Sequence, residues 1–168
     1  PELADTDVVV MSIGGNDILY SLDASALQDP DGAVEEIREL IYEIGGNVVE
    51  ISEAIHEENP DIDVLYCLYV NYGEATVFPW SLVSTVVPEG AVEDLLSTAR
   101  DSISVDEDIL LVDLFGASME LDSLDDYLYD ELHFNDRGQT FYAEEIFKTL
   151  GGVLVGDSPL DGSPRSPL

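Results

Sequence analysis

Residues 8–17 read VVVMSIGGND. An apolar, largely β-branched run between Asp7 and two glycines has the form of a strand buried on both faces. An amide and an acid after Gly-Gly are good turn chemistry. They are also what a parallel sheet presents at the mouth of a site, beyond the carboxyl ends of its strands. The rest of the chain decides between these readings.

Two more apolar runs, DVLYCLYV (63–70) and DILLVDL (108–114), are expected as strands. Val34, Ile37, Ile41, Ile44, Val48, Ile51 and Ile55 recur at three- and four-residue steps and predict one amphipathic helix. DPDG (29–32) marks its start and Asn59-Pro60 its end. Gly45-Gly46 inside the stripe predicts a bend or a close approach to a neighbour. Val92, Leu95, Leu96, Ala99 and Ile103 mark a second helix, and 139–150 a third, with Lys148 in its last turn. Residues 18–32, 71–88 and 115–135 read as loops. Alternation of strand and helix predicts an α/β chain: a parallel sheet covered on both faces. The folded unit is expected over 1–152, with a flexible Gly/Ser/Pro tail over 153–168.

The 168 residues suit one domain. Thirty-seven acidic residues face five basic ones, a formal net charge of −32. That surface repels phosphate backbones, so nucleic acid is excluded as a partner. A folded domain so acidic is expected from a high-salt source, where counterions screen the repulsion. Composition does not separate a secreted from a cytoplasmic protein, nor does it set the oligomeric state. Cys67 is the single cysteine and is expected to be a buried thiol; no intrachain disulfide or thiolate metal cluster can form. The acidic residues lack EF-hand spacing, so a metal-binding role is disfavoured and no cofactor is expected. No run approaches the ~20 apolar residues of a membrane span. The chain opens on Pro1 and enters a strand almost at once; it is expected to be a processed or truncated form.

There are two histidines. His56, among Glu53, Glu57 and Glu58, is expected as an exposed helix-end residue. His133 stands in YDELHFNDRG (129–138), just before the last helix, with Asp130 three residues earlier. In a turn, that Asp can accept the imidazole Nδ1–H, fix the tautomer and leave Nε2 as a base. The alternative is an ordinary polar loop in which Asn135 or Asp136 caps the helix. A base of this kind acts in acyl transfer, which also needs a donor where charge grows on the substrate oxygen. Asn16, held on a Gly-Gly turn, could supply its side-chain amide.

In this order the two segments resemble the SGNH (GDSL-type) hydrolase family. Gly14, Gly15, Asn16 and Asp17 are similar to its G-x-N-D block. Asp130 and His133 are similar to its D-x-x-H block, and Asn135 and Gly138 to the H-x-N-x-x-G continuation. The resemblance covers about residues 5–150. It implies a flavodoxin-like three-layer α/β/α sandwich and a hydrolase of small-molecule esters. In it Asn16 would be an oxyanion donor, His133 the general base and Asp130 its orienter, while Asp17 would steady the turn.

The chain departs from the family in one respect. The family nucleophile is a Ser in a G-D-S block well before G-x-N-D, and residues 1–13 contain no such block. Ser12 lies within the predicted strand. The expectation is therefore a fragment, inactive by itself, without the nucleophile, the second-block glycine of the oxyanion hole or the first strand. Gly156, Asp157 and Ser158 form a G-D-S triplet, but only ten residues follow it, three of them proline. It is read as chance similarity rather than as a circularly permuted nucleophile. A different class stays open: a non-catalytic carbohydrate- or surface-binding module on the same fold. Its candidate platform is the aromatic group Tyr69, Tyr72, Phe78 and Trp80, for which a core role is preferred.

Overall fold

The computed structural model describes residues 3–21, 29–72, 75, 90–103 and 108–152. Three short strands, β1 (Val8–Met11), β2 (Asp63–Cys67) and β3 (Ile109–Val112), form a parallel sheet in the order β1-β2-β3. Val8 lies opposite Asp63, and Val64 opposite Ile109. The helices are α1 (Gly15–Ser21), α2 (Pro30–Glu58), α3 (Ala91–Ile103), α4 (Leu114–Ser118) and α5 (Asp136–Thr149). Two 3-10 turns, Leu3–Asp5 and Leu124–Tyr127, complete the described elements.

The two-residue period of β2 divides the core. Val64 and Tyr66 face Val48 and Ile55 of α2 and Ile103 of α3. Leu65 and Cys67 face the other way, toward Phe141 of α5 and Leu114 of α4. Helices therefore cover both faces of the sheet, and the fold is the expected α/β sandwich. Cys67 is fully buried as expected, and burial pushes its thiol pKa up. No described helix is long and apolar enough to cross a membrane.

Helix α2 runs unbroken for 29 residues, about 44 Å. The Asp29 carboxylate caps it by accepting the Gly32 N–H at 3.1 Å. Gly45 does not interrupt it. A Cβ built there would stand 2.7 Å from Ser102 Oγ, so the glycine lets α2 and α3 approach. Arg38 ties the same two helices, donating to Asp94 at 2.8 Å and to Thr98 at 3.1 Å.

Several local expectations need correction. β1 is not buried on both faces. Among the described residues it pairs only with β2, and Val10 is 43% exposed on this outer strand. Ile51 is exposed, and Ser52 takes the buried place in the α2 stripe. Residues 18–21 and 30–32 of the expected 18–32 loop are helical, in α1 and α2, and 115–135 contain most of α4 and a 3-10 turn. His56 is half-buried, and its Nε2 lies 2.9 Å from the Ile62 carbonyl, closing the turn from α2 into β2. The predicted tail, and most of the loop at 71–88, lie outside the described residues.

Candidate active site

Both sequence blocks stand at the carboxyl end of the sheet. The first follows β1. Gly14 has φ +97°, a left-handed backbone that L side chains rarely adopt, and its carbonyl accepts the Ile18 N–H to start α1. Gly15 is required for a different reason: a Cβ there would lie 2.6 Å from the Tyr69 ring. The Gly15 N–H, one of the unsatisfied donors at a helix start, donates to the Tyr69 hydroxyl at 3.0 Å. The Gly-Gly pair thus fits Ile44 and Tyr69 of the protein itself. Asn16 and Asp17 come next and are exposed.

The second block is a closed turn. Leu128 and Phe134 form an antiparallel bridge, and the Tyr129 N–H donates to the His133 carbonyl at 2.7 Å. Asp130 sits inside. Its Oδ1 accepts the Leu132 N–H at 2.9 Å and the His133 N–H at 2.8 Å. The His133 ring Nδ1 lies 2.9 Å from Oδ1 and 2.8 Å from Oδ2. The two backbone N–H donors and the imidazole together hold the Asp130 carboxyl down at about 2. The imidazole is 77% exposed, so its remaining edge is open to solvent.

Asn135 and Gly138 hold this turn in place. Asn135 caps α5, accepting the Arg137 and Gly138 N–H groups at 2.9 and 3.0 Å. Its Nδ2 donates to the Asp126 and Leu128 carbonyls. Asn135 is thus the cap of α5, and in the same turn the Asp130 carboxylate lies against His133 Nδ1. Gly138 is buried, and a Cβ on it would run into the Tyr127 carbonyl and stand 2.6 Å from the Phe134 ring. Arg137 lies over the Tyr127 ring, 4.3 Å from its centroid, and near Asp126.

The two blocks are linked through Tyr69 and Tyr72, both half-buried. Tyr69 meets Gly15, and the Tyr72 hydroxyl donates to the Leu132 carbonyl at 2.8 Å. Ser12 is exposed and meets the Tyr142 hydroxyl. Phe78, Trp80 and Ser158 lie outside the described residues. The open groove between α2 and α3, lined by Asp31, Glu35, Arg38 and Asp94, contains none of these groups. Among the described residues no cluster of His, Cys, Asp or Glu is placed to hold a metal ion. Among known proteins, a family model described as GDSL-like Lipase/Acylhydrolase family matches residues 1–141. No curated protein matches the chain.

Proposed function

Because the chain belongs to the GDSL-like lipase/acylhydrolase family, we propose that it is a serine-type esterase whose base is His133, oriented by Asp130, with Asn16 as an oxyanion donor. The observation that carries this is the double contact of the Asp130 carboxylate with His133 Nδ1, at 2.8 and 2.9 Å. It fixes a proton on Nδ1 and leaves Nε2 as the acceptor. Asn16 supports the reading by its place: it follows Gly14-Gly15 at the carboxyl end of β1, where the Tyr69 hydroxyl holds the Gly15 N–H.

In the reaction, a serine hydroxyl attacks the ester carbonyl carbon and passes its proton to His133 Nε2. The charge that grows on the carbonyl oxygen is met by the Asn16 amide. Collapse of the tetrahedral intermediate expels the alcohol, which takes the proton back from His133. Water then repeats the sequence and releases the acid. Asp130 stays ionised throughout, consistent with its low pKa.

The serine itself we place in a segment preceding Pro1. Among the described residues β1 has β2 as its one neighbour, so its other edge has room for a further strand, which supports this. The acidic surface we assign to a high-salt environment.

The test is hydrolysis of a short p-nitrophenyl ester. The chain as it stands is expected to be inactive, and extension with its upstream coding segment to restore turnover. Turnover without that segment, abolished by Ser158→Ala, would move the nucleophile to the G-D-S triplet at 156–158. No turnover in either form would leave the binding-module reading.

A further inference from the structure

The segment after β2 links the two halves of the site, and the link has a definite chemistry. Leu68, Val70 and Asn71 are buried, and the Asn71 N–H donates to Ser118 Oγ at 2.9 Å. The backbone of 68–72 is thereby anchored at the carboxyl end of the sheet. From it Tyr69 reaches Gly15 and Tyr72 reaches Leu132. The Leu132 carbonyl, which accepts from Tyr72 at 2.8 Å, and the His133 N–H, which donates to Asp130 at 2.8 Å, belong to one peptide group. A donor on the oxygen of an amide polarises it and strengthens the N–H at its other end. The hydroxyl, the peptide, the carboxylate and the imidazole therefore form one continuous chain of hydrogen bonds.

We infer that Tyr72 is a positioning residue for the Asp130–His133 pair, acting through the Leu132–His133 peptide group. Burial pushes its phenol up to about 12, with the Tyr69 and Asp130 charges adding, so Tyr72 keeps its proton through the neutral range, where Asp130 is ionised. Donation runs in one direction, from Tyr72 toward the carboxylate. The catalytic consequence rests on the hydrolase reading; the hydrogen-bond chain does not.

The test is Tyr72→Phe in the chain as it exists, with Tyr142→Phe as a control that also deletes a partly buried hydroxyl. The Asp130 carboxyl, followed by carbon NMR, is expected to titrate at about 2 in the unaltered chain and in Tyr142→Phe. In Tyr72→Phe it is expected to rise by about half a unit, toward the ordinary carboxylate range. In the catalytically active form the same variant is expected to lower kcat roughly tenfold with little change in KM, the pattern of an interaction felt in the transition state. An Asp130 midpoint that stays in place in a folded Tyr72→Phe would overturn the inference. Should that variant fail to fold, 3-fluorotyrosine at position 72 keeps ring and hydroxyl and is a stronger donor. It is expected to shift the His133 amide proton downfield, and an unmoved resonance would overturn the link equally. A moved midpoint together with an ester hydrolysis that ignores His133→Ala would reject His133 as the base and leave the link standing.

Discussion

At the scale of single residues, Ser52 and Asp130 make opposite demands. Ser52 is 1% exposed, and among the described residues its hydroxyl has no hydrogen-bond partner. A buried unsatisfied hydroxyl costs on the order of 1 kcal/mol, so Ser52→Ala should stabilise the fold by about that amount. Thermal melting should show Tm rising by roughly 2–4 °C. An unchanged or lower Tm would mean the hydroxyl has a partner. Asp130 is a carboxylate that the fold wants ionised. Its folded pKa, about 2, lies below the ordinary value of 3.8. The stability it confers is therefore complete above about pH 4 and is lost as pH falls through about 2. Melts of Asp130→Ala against the unaltered chain should differ most above pH 4 and draw together on acidification. A gap that stays constant with pH would contradict the assigned contacts. The Asp130–His133 spacing was legible because a turn brings positions three apart together. The Tyr72 contact was not. It reaches across 60 residues and leaves no local pattern.

At the scale of elements, apolar runs and the 3.6-residue stripe marked all three strands, α2, α3 and α5. Each error has a physical source. Helix α1 overlaps the expected 18–32 loop and has no pattern to announce it, because GNDILYS is short and opens with poor helix formers. It forms because the Gly14 carbonyl starts the helix and the Tyr69 hydroxyl satisfies an orphan donor. The apolar stripe runs through Ile51, yet Ser52 lies closer to the buried line. Counted from Val48, the two lie about 60° to one side and about 40° to the other. The sheet selects the nearer one, which periodicity alone cannot do. The turn of 128–138 depends most on Gly138. Gly138→Ala would drive a methyl into the Tyr127 carbonyl, a backbone atom that cannot rotate away. It should cost at least ~2 kcal/mol and open the Asp130 turn. Asn135→Ala should cost about 1 kcal/mol through the lost cap alone, and more through the Asp126 and Leu128 carbonyls it leaves. Urea unfolding of both variants measures this, and a Gly138→Ala as stable as the parent would show the close approach to be wrong.

At the scale of the whole molecule, charge and catalysis set the remaining tests. The four described basic residues each lie against a carboxylate: Arg38 on Asp94, Arg100 on Asp113, Arg137 on Asp126 and Lys148 on Glu145. With 37 acidic residues in the chain, such pairs leave a large net repulsion. Tm is expected to climb as salt rises from about 0.1 M to about 1 M and the Debye length shrinks from about 10 Å to about 3 Å. A Tm indifferent to salt would reject adaptation to a high-salt environment. The parallel sheet and the place of the first block beyond the carboxyl end of β1 followed from strand–helix alternation; the strand order did not. The reason Gly15 stands where it does required coordinates, since Tyr69 comes from a distant part of the chain. The most direct test of the whole account is kcat for ester hydrolysis in the catalytically active form, compared across His133→Ala and Asn16→Ala. The expected losses are roughly 10,000-fold or more for the base and roughly 100- to 1,000-fold for the oxyanion donor. A turnover that survives both substitutions would contradict it.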